Sequence, residues 1–261
     1  MTLLAADIGN SHTILGIVEH DSDGEAAVVA DWRVITGDRT ADEWVVVLRG
    51  LLGDWVNRID GIAVCATVPS VLHEWRDMLA RHFETTPAVV VEPGVRSGVP
   101  IQMDNPREVG TDRIANAVGA VRLFGGPAIV VDFGGTATTF DVVNASGQYV
   151  GGAIAPGIEV SLEALGRRGA QLRKVEVARP RSAIAKNTVE AVQSGMVFGV
   201  AAQVDGMVAR MIEELGVPVD DVNVIATGYL ASTVVAECRS FTHHSPWLTL
   251  LGLELIFAKN C

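Results

Sequence analysis

The sequence predicts an α/β protein built from two similar domains that face a central cleft. Apolar runs of strand length alternate with segments whose apolar residues recur at helical spacing, which is the pattern of α/β architecture. In addition, an apolar run that ends in Asp and small polar residues, followed at once by a second apolar run, occurs near residue 7 and again near residue 132. No long linker separates the two halves.

Each predicted element follows from the spacing of its apolar residues. Strands are expected at residues 3–6, 13–18, 26–34, 61–67, 88–91, 128–131, 140–143 and 222–226. Helices are expected at residues 41–56, 71–83, 113–125, 189–215 and 248–257, and residues 151–186 are expected to be rich in loops. Residues 1–115 then form an N-terminal domain and residues 116–245 a C-terminal domain, with a last helix of about residues 246–261 packed back on the first.

Composition excludes several classes of protein. The 261 residues carry a formal net charge of -11, whereas nucleic-acid binders usually present a basic face, so no nucleic-acid partner is expected. Cys65, Cys238 and Cys261 are odd in number and lack CxxC spacing, which indicates a reducing compartment without disulfides or structural zinc. The N-terminal apolar run lacks a basic flank and is interrupted by Asp7, so it is expected to be a buried strand of a cytoplasmic protein without a membrane partner.

The turn at residues 7–13 reads Asp-Ile-Gly-Asn-Ser-His-Thr. Successive backbone N–H groups in such a turn can bind phosphates without a lysine, and Gly9 allows a ligand to come close. Asp7, at the end of a strand, could reach a hydrated metal on those phosphates. An ordinary hairpin with turn-forming residues explains this segment equally well.

The turn at residues 132–139 repeats the pattern as Asp-Phe-Gly-Gly-Thr-Ala-Thr-Thr. The same arrangement of strand, Asp, glycine, hydroxyls and strand in both halves is hard to attribute to chance. The pair of turns therefore favours a two-domain phosphotransferase that grips the phosphates of a nucleotide. A threonine-rich turn in a sheet is the structural alternative.

A third candidate site opens the helix that follows Val109. Asp112 is expected to be the N-cap of this helix, whose N-terminus favours an ionised carboxylate. An ionised carboxylate could orient a substrate hydroxyl and accept its proton, while Arg113 could bind a carboxylate or a phosphoryl oxygen. A capped surface helix with an exposed arginine is the simpler alternative when spacing alone is considered.

Seven motifs in chain order extend these observations over nearly the whole sequence: DIGNSHT, NPREVGTDRIANAVGA, VVDFGGTATTFDVV, GGAIAPGI, KNTVEAVQSG, VIATGYLA and PWLTLLGLELIFAKN. Together they resemble the type III pantothenate kinases. The resemblance implies two actin-like (ribonuclease H-like) domains. It also implies ATP-dependent phosphorylation of pantothenate to 4′-phosphopantothenate, the first step of coenzyme A biosynthesis, by a homodimer that needs Mg²⁺ and a monovalent cation, K⁺ or NH₄⁺.

The resemblance also implies roles for individual residues. Those that bind ATP would be Asp7, Ile8, Gly9, Asn10, Ser11, His12, Thr13, Ile14 and Thr136, with Asp7 near Mg²⁺. Those that bind pantothenate would be Gly110, Thr111, Asp112, Arg113 and Thr188, with Asp112 as the catalytic general base. Asp132 would bind the monovalent cation, and Thr227 and Gly228 would lie on the adenosine side.

Four positions depart from the family pattern. The usual DFGTATT has one glycine fewer than residues 132–139, and an added residue is expected to change the register of a tight hairpin and displace Thr136. Tyr229, Leu251 and Met103 replace a usual glycine, acidic residue and tyrosine, respectively. These departures leave open a catalytically weakened nucleotide-binding regulator of the same fold, and a kinase for another hydroxy acid or sugar.

Overall fold

The computed structural model describes residues 1–22, 24–168 and 175–261, except for the side chain of Arg168. Its internal contacts divide the chain into two units. The first contains Met1–Pro100, Asp104–Arg122 and Trp247–Cys261, and the second contains Ile101–Met103 and Leu123–Pro246. The units divide between Arg122 and Leu123, at the last residue of the helix Thr111–Leu123, whereas the sequence predicts a boundary after residue 115, in the middle of that helix.

The first unit is a five-stranded mixed sheet with helices. Its strands are β1 (Thr2–Ile8), β2 (His12–His20), β3 (Ala26–Ile35), β4 (Gly61–Ala66) and β5 (Ala88–Val90). They lie in the order β3-β2-β1-β4-β5; β1, β2 and β3 pair antiparallel, and β4 is parallel to β1 and β5. The helices are α1 (Ala41–Leu52), α2 (Pro69–His82) and α3 (Thr111–Leu123).

Helices α1 and α2 cover an aliphatic core that contains a pair of tryptophans. A capping box fixes the start of α1, because Thr40 and Glu43 satisfy each other's backbone N–H groups. The fully buried rings of Trp44 and Trp75 lie 5.3 Å apart and tilted by 57°, a favourable aromatic geometry. The buried faces of β1, β2 and β4 complete this core, so the strand ends that carry the candidate turn are held rigidly.

The second unit repeats the strand order of the first. Its strands are β6 (Ala128–Phe133), β7 (Ala137–Val143), β8 (Tyr149–Pro156), β9 (Asn223–Thr227) and β10 (His243–His244), in the order β10-β9-β6-β7-β8. As in the first unit, the central strand β6 pairs antiparallel with the next strand in sequence, β7, and parallel with β9, as β1 pairs with β2 and β4. Its helices are α4 (Ile158–Arg168), α5 (Thr188–Leu215) and α6 (Ala231–Val234).

The prediction that residues 151–186 are mainly loop is wrong for the first part of that stretch. Strand β8 and helix α4 occupy most of it up to Arg168. The strand was missed because its sequence, Tyr-Val-Gly-Gly-Ala-Ile-Ala-Pro, carries glycine and proline, which single-sequence patterns assign to turns. Since β8 is an edge strand, it tolerates these residues.

Helix α5 is the longest helix and packs on the sheet of the second unit. Asn187 caps its N-terminus by accepting a hydrogen bond from the Glu190 N–H, and Gly216 ends it in the left-handed conformation at φ 66°. Within the described ranges it is the one helix whose length and apolar composition would allow it to cross a membrane. Its buried residues are Met196, Val197, Val200, Ala201, Val204 and Val208, and most of them belong to the core of the second unit, as in a core helix.

Helix α7 (Leu248–Asn260) packs on the sheet of the first unit, although it follows the second unit in sequence. Three glycines allow this close contact. A β-carbon at Gly16 would overlap Leu250, one at Gly61 would overlap the Phe257 ring, and one at Gly252 would overlap the backbone of α3. The predicted buried helix at residues 248–257 is therefore present and supplies a large part of the packing on β1 and β4.

Candidate active site

The turn between β1 and β2 is closed by several hydrogen bonds. The Gly9 N–H donates to the His12 carbonyl at 3.0 Å, and Ile8 pairs with Thr13 across the hairpin. Thr36 donates its hydroxyl to the Gly9 carbonyl at 2.7 Å and lies 3.0 Å from the buried hydroxyl of Thr13. These hydrogen bonds pair the backbone and hydroxyl groups inside the turn, so the turn keeps its shape without a ligand.

Asp7 lies at the end of β1 beside a buried thiol. The Sγ of Cys65 donates a hydrogen bond to Oδ1 of Asp7 at 3.3 Å, and the two residues are register partners in the parallel pair of β1 and β4. Cys65 is not among the site residues predicted from the sequence. No local signal could have identified it, because the contact depends on the pairing of strands that are distant in sequence.

The start of α3 is tied to the end of β4. The hydroxyl of Thr111 donates to the Ala66 carbonyl at 3.1 Å and accepts from the Ala66 N–H at 3.0 Å. This double contact draws Thr111 into the first helical turn, so that α3 begins at Thr111 and Asp112 is its second residue. The prediction that Asp112 is the N-cap is therefore wrong, although Asp112 does lie in the first turn.

Burial dominates the electrostatics of Asp112. Desolvation raises the pKa of its carboxyl above the ordinary value, and the backbone N–H groups of Arg113 and Asp112 and the charge of Arg113 oppose this only in part. The backbone N–H groups at the helix N-terminus favour the ionised form, as the sequence predicts, but burial outweighs them. Oδ1 of Asp112 is buried and has no hydrogen-bond partner among the described residues, and a β-carbon at Gly110 would overlap it. The buried oxygen is thus available to a ligand.

The turn between β6 and β7 has the same register as the turn between β1 and β2. Phe133 pairs with Thr138 as Ile8 pairs with Thr13, so residues 134–137 correspond to residues 9–12. The added glycine therefore gives the second turn the length of the first, and Thr136 corresponds to Ser11. Thr136 therefore has a defined place in the hairpin, whereas its displacement relative to the family pattern stays a prediction.

Asp132 lies at the end of β6 against the segment that follows β9. It is the register partner of Thr227, whose Oγ1 is buried and has no hydrogen-bond partner within the described residues. A β-carbon at Gly228, which has φ 90°, would overlap Oδ1 of Asp132 and lie 2.8 Å from the Phe133 backbone. A carboxylate and a buried hydroxyl are oxygen ligands that suit a hard monovalent cation.

Helix α4 and Tyr229 enclose the second turn. The Gly157 N–H donates to the Thr136 carbonyl at 2.9 Å, and the Val160 N–H donates to the Gly135 carbonyl at 3.3 Å. The hydroxyl of Tyr229 donates to Oε2 of Glu159 at 2.7 Å. Glu159 is a second contact residue that was not predicted from the sequence, because an acidic residue in a first helical turn is common.

The remaining predicted residue, Thr188, is the exposed first residue of α5 in the second unit. Gly110–Arg113 belong to the first unit. Across residues 1–22, 24–168 and 175–261 no group of three or more His, Cys, Asp or Glu side chains could hold a metal by itself. Proteins commonly bind Mg²⁺ through one or two carboxylates together with substrate phosphates, and Asp7 is the carboxylate predicted for this role.

Two α/β units of equal strand order, each with a strand-terminal aspartate and a turn of equal register, define the actin-like class of proteins, which includes sugar kinases and Hsp70-like ATPases. Within this class, the family described as type III pantothenate kinase matches residues 3–210. The chain belongs to the type III pantothenate kinase family.

Relatives confirm this assignment over the full length. The chain is 73% identical to the type III pantothenate kinase of Nocardioides sp. over 100% of both chains. It is 60% identical to that of Streptomyces griseus over 99% of this chain and 98% of the relative. At this level of identity the resemblance seen in the seven motifs extends to the complete sequence.

Solved structures with low sequence identity share the fold. The (R)-2-hydroxyglutaryl-CoA dehydratase component A of Acidaminococcus fermentans is 16% identical and superposes with a TM-score of 0.56, covering 100% of this chain and 99% of its own. The activator of the 2-hydroxyisocaproyl-CoA dehydratase of Clostridium difficile, solved with bound ADPNP, is 15% identical with a TM-score of 0.54, covering 100% of this chain and 96% of its own. These similarities concern architecture alone.

Proposed function

We propose that Asp112 is the general base with which this chain transfers a phosphoryl group from ATP to pantothenate. Type III pantothenate kinases carry out this reaction in coenzyme A biosynthesis, and the chain is a kinase of this family. The observation that carries the assignment is the buried Oδ1 of Asp112, which has no hydrogen-bond partner in the described part of the chain. A buried acceptor without a donor is costly, and a substrate hydroxyl would satisfy it.

The turn of residues 7–14 is proposed to bind the phosphates of ATP. Its fixed backbone, closed by Thr36, presents N–H groups without the reorganisation that a flexible loop would require. Asp7 would hold the hydrated Mg²⁺ that accompanies those phosphates. When bound, this cation neutralises charge on the phosphoryl group that is transferred.

The second unit is proposed to bind the nucleotide through Thr136, Thr227 and Gly228. Support comes from the equal register of the two turns and from the close contact of Gly228 with the Asp132–Phe133 backbone. The dehydratase activator with the same fold was solved with ADPNP, a nucleotide triphosphate analogue. Asp132, with the buried hydroxyl of Thr227, would hold K⁺ or NH₄⁺.

Pantothenate is proposed to bind along Gly110–Arg113 and Thr188. The guanidinium of Arg113 can pair with the carboxylate of pantothenate, while Asp112 accepts a hydrogen bond from its primary hydroxyl. Thr188 is exposed at the N-terminus of α5, where a hydroxyl can bind an anionic or polar substrate group. The contact of Thr111 with Ala66 holds this segment in place.

The chemical step is an in-line displacement at the γ-phosphorus. Asp112 orients the hydroxyl of pantothenate and accepts its proton as the oxygen attacks, and ADP leaves on the opposite side. Because phosphoryl transfer passes through a loose transition state, positioning and charge neutralisation supply most of the rate enhancement. The raised pKa of Asp112 strengthens it as a base at neutral pH.

A homodimer in the cytoplasm is proposed as the working form. An exposed stripe of small residues runs along α5 at helical spacing, comprising Ala191, Gly195, Gly199, Ala202, Gly206 and Ala209. Apart from the helix itself, no described residue has an atom within 4 Å of the β-carbon positions of Gly195, Gly199 and Gly206. Such a stripe allows two helices to approach closely, so α5 of a second copy is the proposed partner.

The test is ADP release by the purified protein with ATP, Mg²⁺ and K⁺, measured with pantothenate and with a panel of other hydroxy acids and sugars. We expect turnover with pantothenate and a loss of about 100-fold or more in Asp112→Asn, in line with removal of a general base. The matched control is Asp220→Asn, which changes an exposed aspartate. Near-normal turnover in Asp112→Asn would reject the base assignment, and a preference for another acceptor would reject pantothenate as substrate.

A further inference from the structure

Gly135 and Tyr229, two departures from the family pattern, are in direct contact. A β-carbon at position 135 would overlap both the hydroxyl of Tyr229 and the carboxylate of Glu159. The tyrosine at 229 therefore requires glycine at 135. The corresponding position of the first turn, Asn10, is exposed and carries a side chain, whereas Gly135 is buried.

The hydrogen bond between Tyr229 and Glu159 connects two segments of the second unit. Tyr229 belongs to the segment after β9, whose Leu230 N–H donates to the Phe133 carbonyl at 3.3 Å. Glu159 belongs to the first turn of α4, where the Val160 N–H donates to the Gly135 carbonyl, and Gly157, just before the helix, donates its N–H to the Thr136 carbonyl. The pair thus closes a ring of contacts around residues 133–136.

The contact is polar and lies outside the hydrophobic core. Tyr229 and Glu159 are half-buried, and neither belongs to the apolar cluster that holds β6, β7 and β9 to α5. Removal of the tyrosine hydroxyl should therefore leave the fold intact. It should change only how firmly the turn that carries Thr136 is held.

We propose that Tyr229 and Glu159 are positioning residues that hold the turn of residues 134–136 in the conformation that binds nucleotide. This inference rests on the proposed role of that turn in nucleotide binding. In this chain a hydrogen bond between side chains fixes the turn, and the added glycine provides the space that this bond needs. The added glycine and Tyr229 then compensate for each other, and neither is a sign of a weakened enzyme.

The first test compares Tyr229→Phe, Glu159→Ala and Glu159→Gln. Tyr229→Phe and Glu159→Ala should each raise the Kd of a fluorescent ADP analogue and the KM for ATP about tenfold, because both lose the same hydrogen bond. Glu159→Gln keeps an acceptor oxygen and should stay within about twofold of the wild-type values. The KM for pantothenate and the thermal midpoint should not change. Glu163→Gln, on the exposed side of α4, is the matched control.

The second test is a double-mutant cycle of Gly135→Ala with Tyr229→Phe. Gly135→Ala alone should weaken nucleotide binding about tenfold or more, because the methyl group overlaps both the hydroxyl of Tyr229 and the carboxylate of Glu159 and so breaks the hydrogen bond between them. Without the tyrosine hydroxyl, nothing holds the Glu159 carboxylate at this place, and it can move aside. In the Tyr229→Phe background the same change should cost much less, about twofold. Gly50→Ala, a helical glycine with open space around it, is the control.

The outcomes separate this inference from the nucleotide site on which it rests. Unchanged nucleotide affinity in Tyr229→Phe, or additive effects in the cycle, would overturn the positioning role while leaving the nucleotide site in place. A wild-type affinity that is unaffected by Thr136→Ala and Asp132→Asn would overturn the proposed nucleotide site, and the inference with it. A loss in Glu159→Gln as large as in Glu159→Ala would show that charge is required and would reject the hydrogen-bond explanation.

Discussion

The thiol of Cys65 donates a hydrogen bond to the carboxylate of Asp7 across the parallel pair of β1 and β4, at 3.3 Å. Cys65 is fully buried, so the thiol is a fixed neighbour of the carboxylate proposed to hold Mg²⁺. A hydrogen bond to an ionised carboxylate stabilises its charge and limits its rotation. The thiol is thus part of the proposed metal site without being a ligand.

Replacement of the Cys65 thiol should raise the Mg²⁺ concentration that the enzyme needs. Cys65→Ala should raise the Mg²⁺ concentration for half-maximal ADP release about three- to fivefold, because Asp7 loses one donor. Cys65→Ser keeps a donor and should change this concentration less. The measurement is a Mg²⁺ titration at saturating ATP, with Cys261→Ser as a control at an exposed cysteine. An unchanged titration in Cys65→Ala would contradict the role of the thiol.

The carboxyl of Asp112 should destabilise the fold at neutral pH. Its pKa is raised in the folded protein, so folding favours the protonated form. The stabilisation is present below the unfolded-state pKa and is lost as the pH rises through the raised pKa. Asp112→Asn should therefore raise the thermal midpoint at pH 7 by about 2–4 °C, and the gain should shrink as the pH is lowered toward 4. A lower midpoint in this variant would contradict the dominance of burial.

The raised pKa of Asp112 should also determine the pH at which activity is lost in acid. A general base must be unprotonated, so kcat/KM for pantothenate should fall as the pH drops through the pKa of Asp112. We expect the midpoint of this limb to lie above the ordinary aspartate value of about 3.9. The measurement is a pH profile of initial rates with saturating ATP. A flat profile down to pH 4 would argue against Asp112 as the base.

The buried carboxylate of Glu254 in α7 is stabilised by contact with a histidine of β2. Its side chain is buried, burial raises its pKa, and Nε2 of His20 lies 3.1 Å from Oε1. His20→Ala should lower the free energy of unfolding at pH 8 by about 1–3 kcal/mol, because the carboxylate loses its partner. The loss should shrink once the pH is low enough to protonate Glu254, because the neutral carboxyl carries no charge that needs a partner.

A second substitution should reverse this loss. Glu254→Gln removes the buried charge, so the His20→Ala, Glu254→Gln double variant should recover most of the stability at pH 8. Denaturant unfolding measures both changes, with His73→Ala as the control at an exposed histidine of α2. An equal loss in the single and double variants would show that packing, and not charge, holds α7 at this point.

A bulky charge on the small-residue stripe of α5 should separate the subunits. Gly199→Arg adds a side chain at a position with open space around it, and arginine favours a helix over glycine, so the fold should persist. Light scattering after gel filtration should show a dimer for the wild type and a monomer for this variant. Gly50→Arg, on the exposed side of α1, should remain a dimer. A dimeric Gly199→Arg would place the subunit contact elsewhere.

The regular elements were predictable because their signals are local. The apolar periodicity of residues 189–215 gave α5 almost to the residue, and the apolar run ending at Asp7 gave β1. Strand β8 was missed because an edge strand need not show apolar alternation, so its glycines were assigned to turns. The repeat of the two turns was likewise visible in the sequence, because each lies within one hairpin.

The contacts that shape the candidate sites were not predictable in the same way. Cys65 reaches Asp7 only through strand pairing, and Thr111 moves the start of α3 only through its bond to Ala66. The direction of the Asp112 pKa also depends on burial, which spacing does not reveal. The motifs located the residues, whereas the partners of those residues required the fold.

The packing of α7 on β1 and β4 has a consequence for biosynthesis. Ribosomes release the strands of the first unit long before residues 248–260 are made, so nascent chains expose the apolar surface that Leu250 and Phe257 later cover. That surface is a natural target for chaperones during translation. A messenger RNA truncated after the second unit would then encode a chain without α7. We expect that chain to be degraded and not to be a smaller active enzyme.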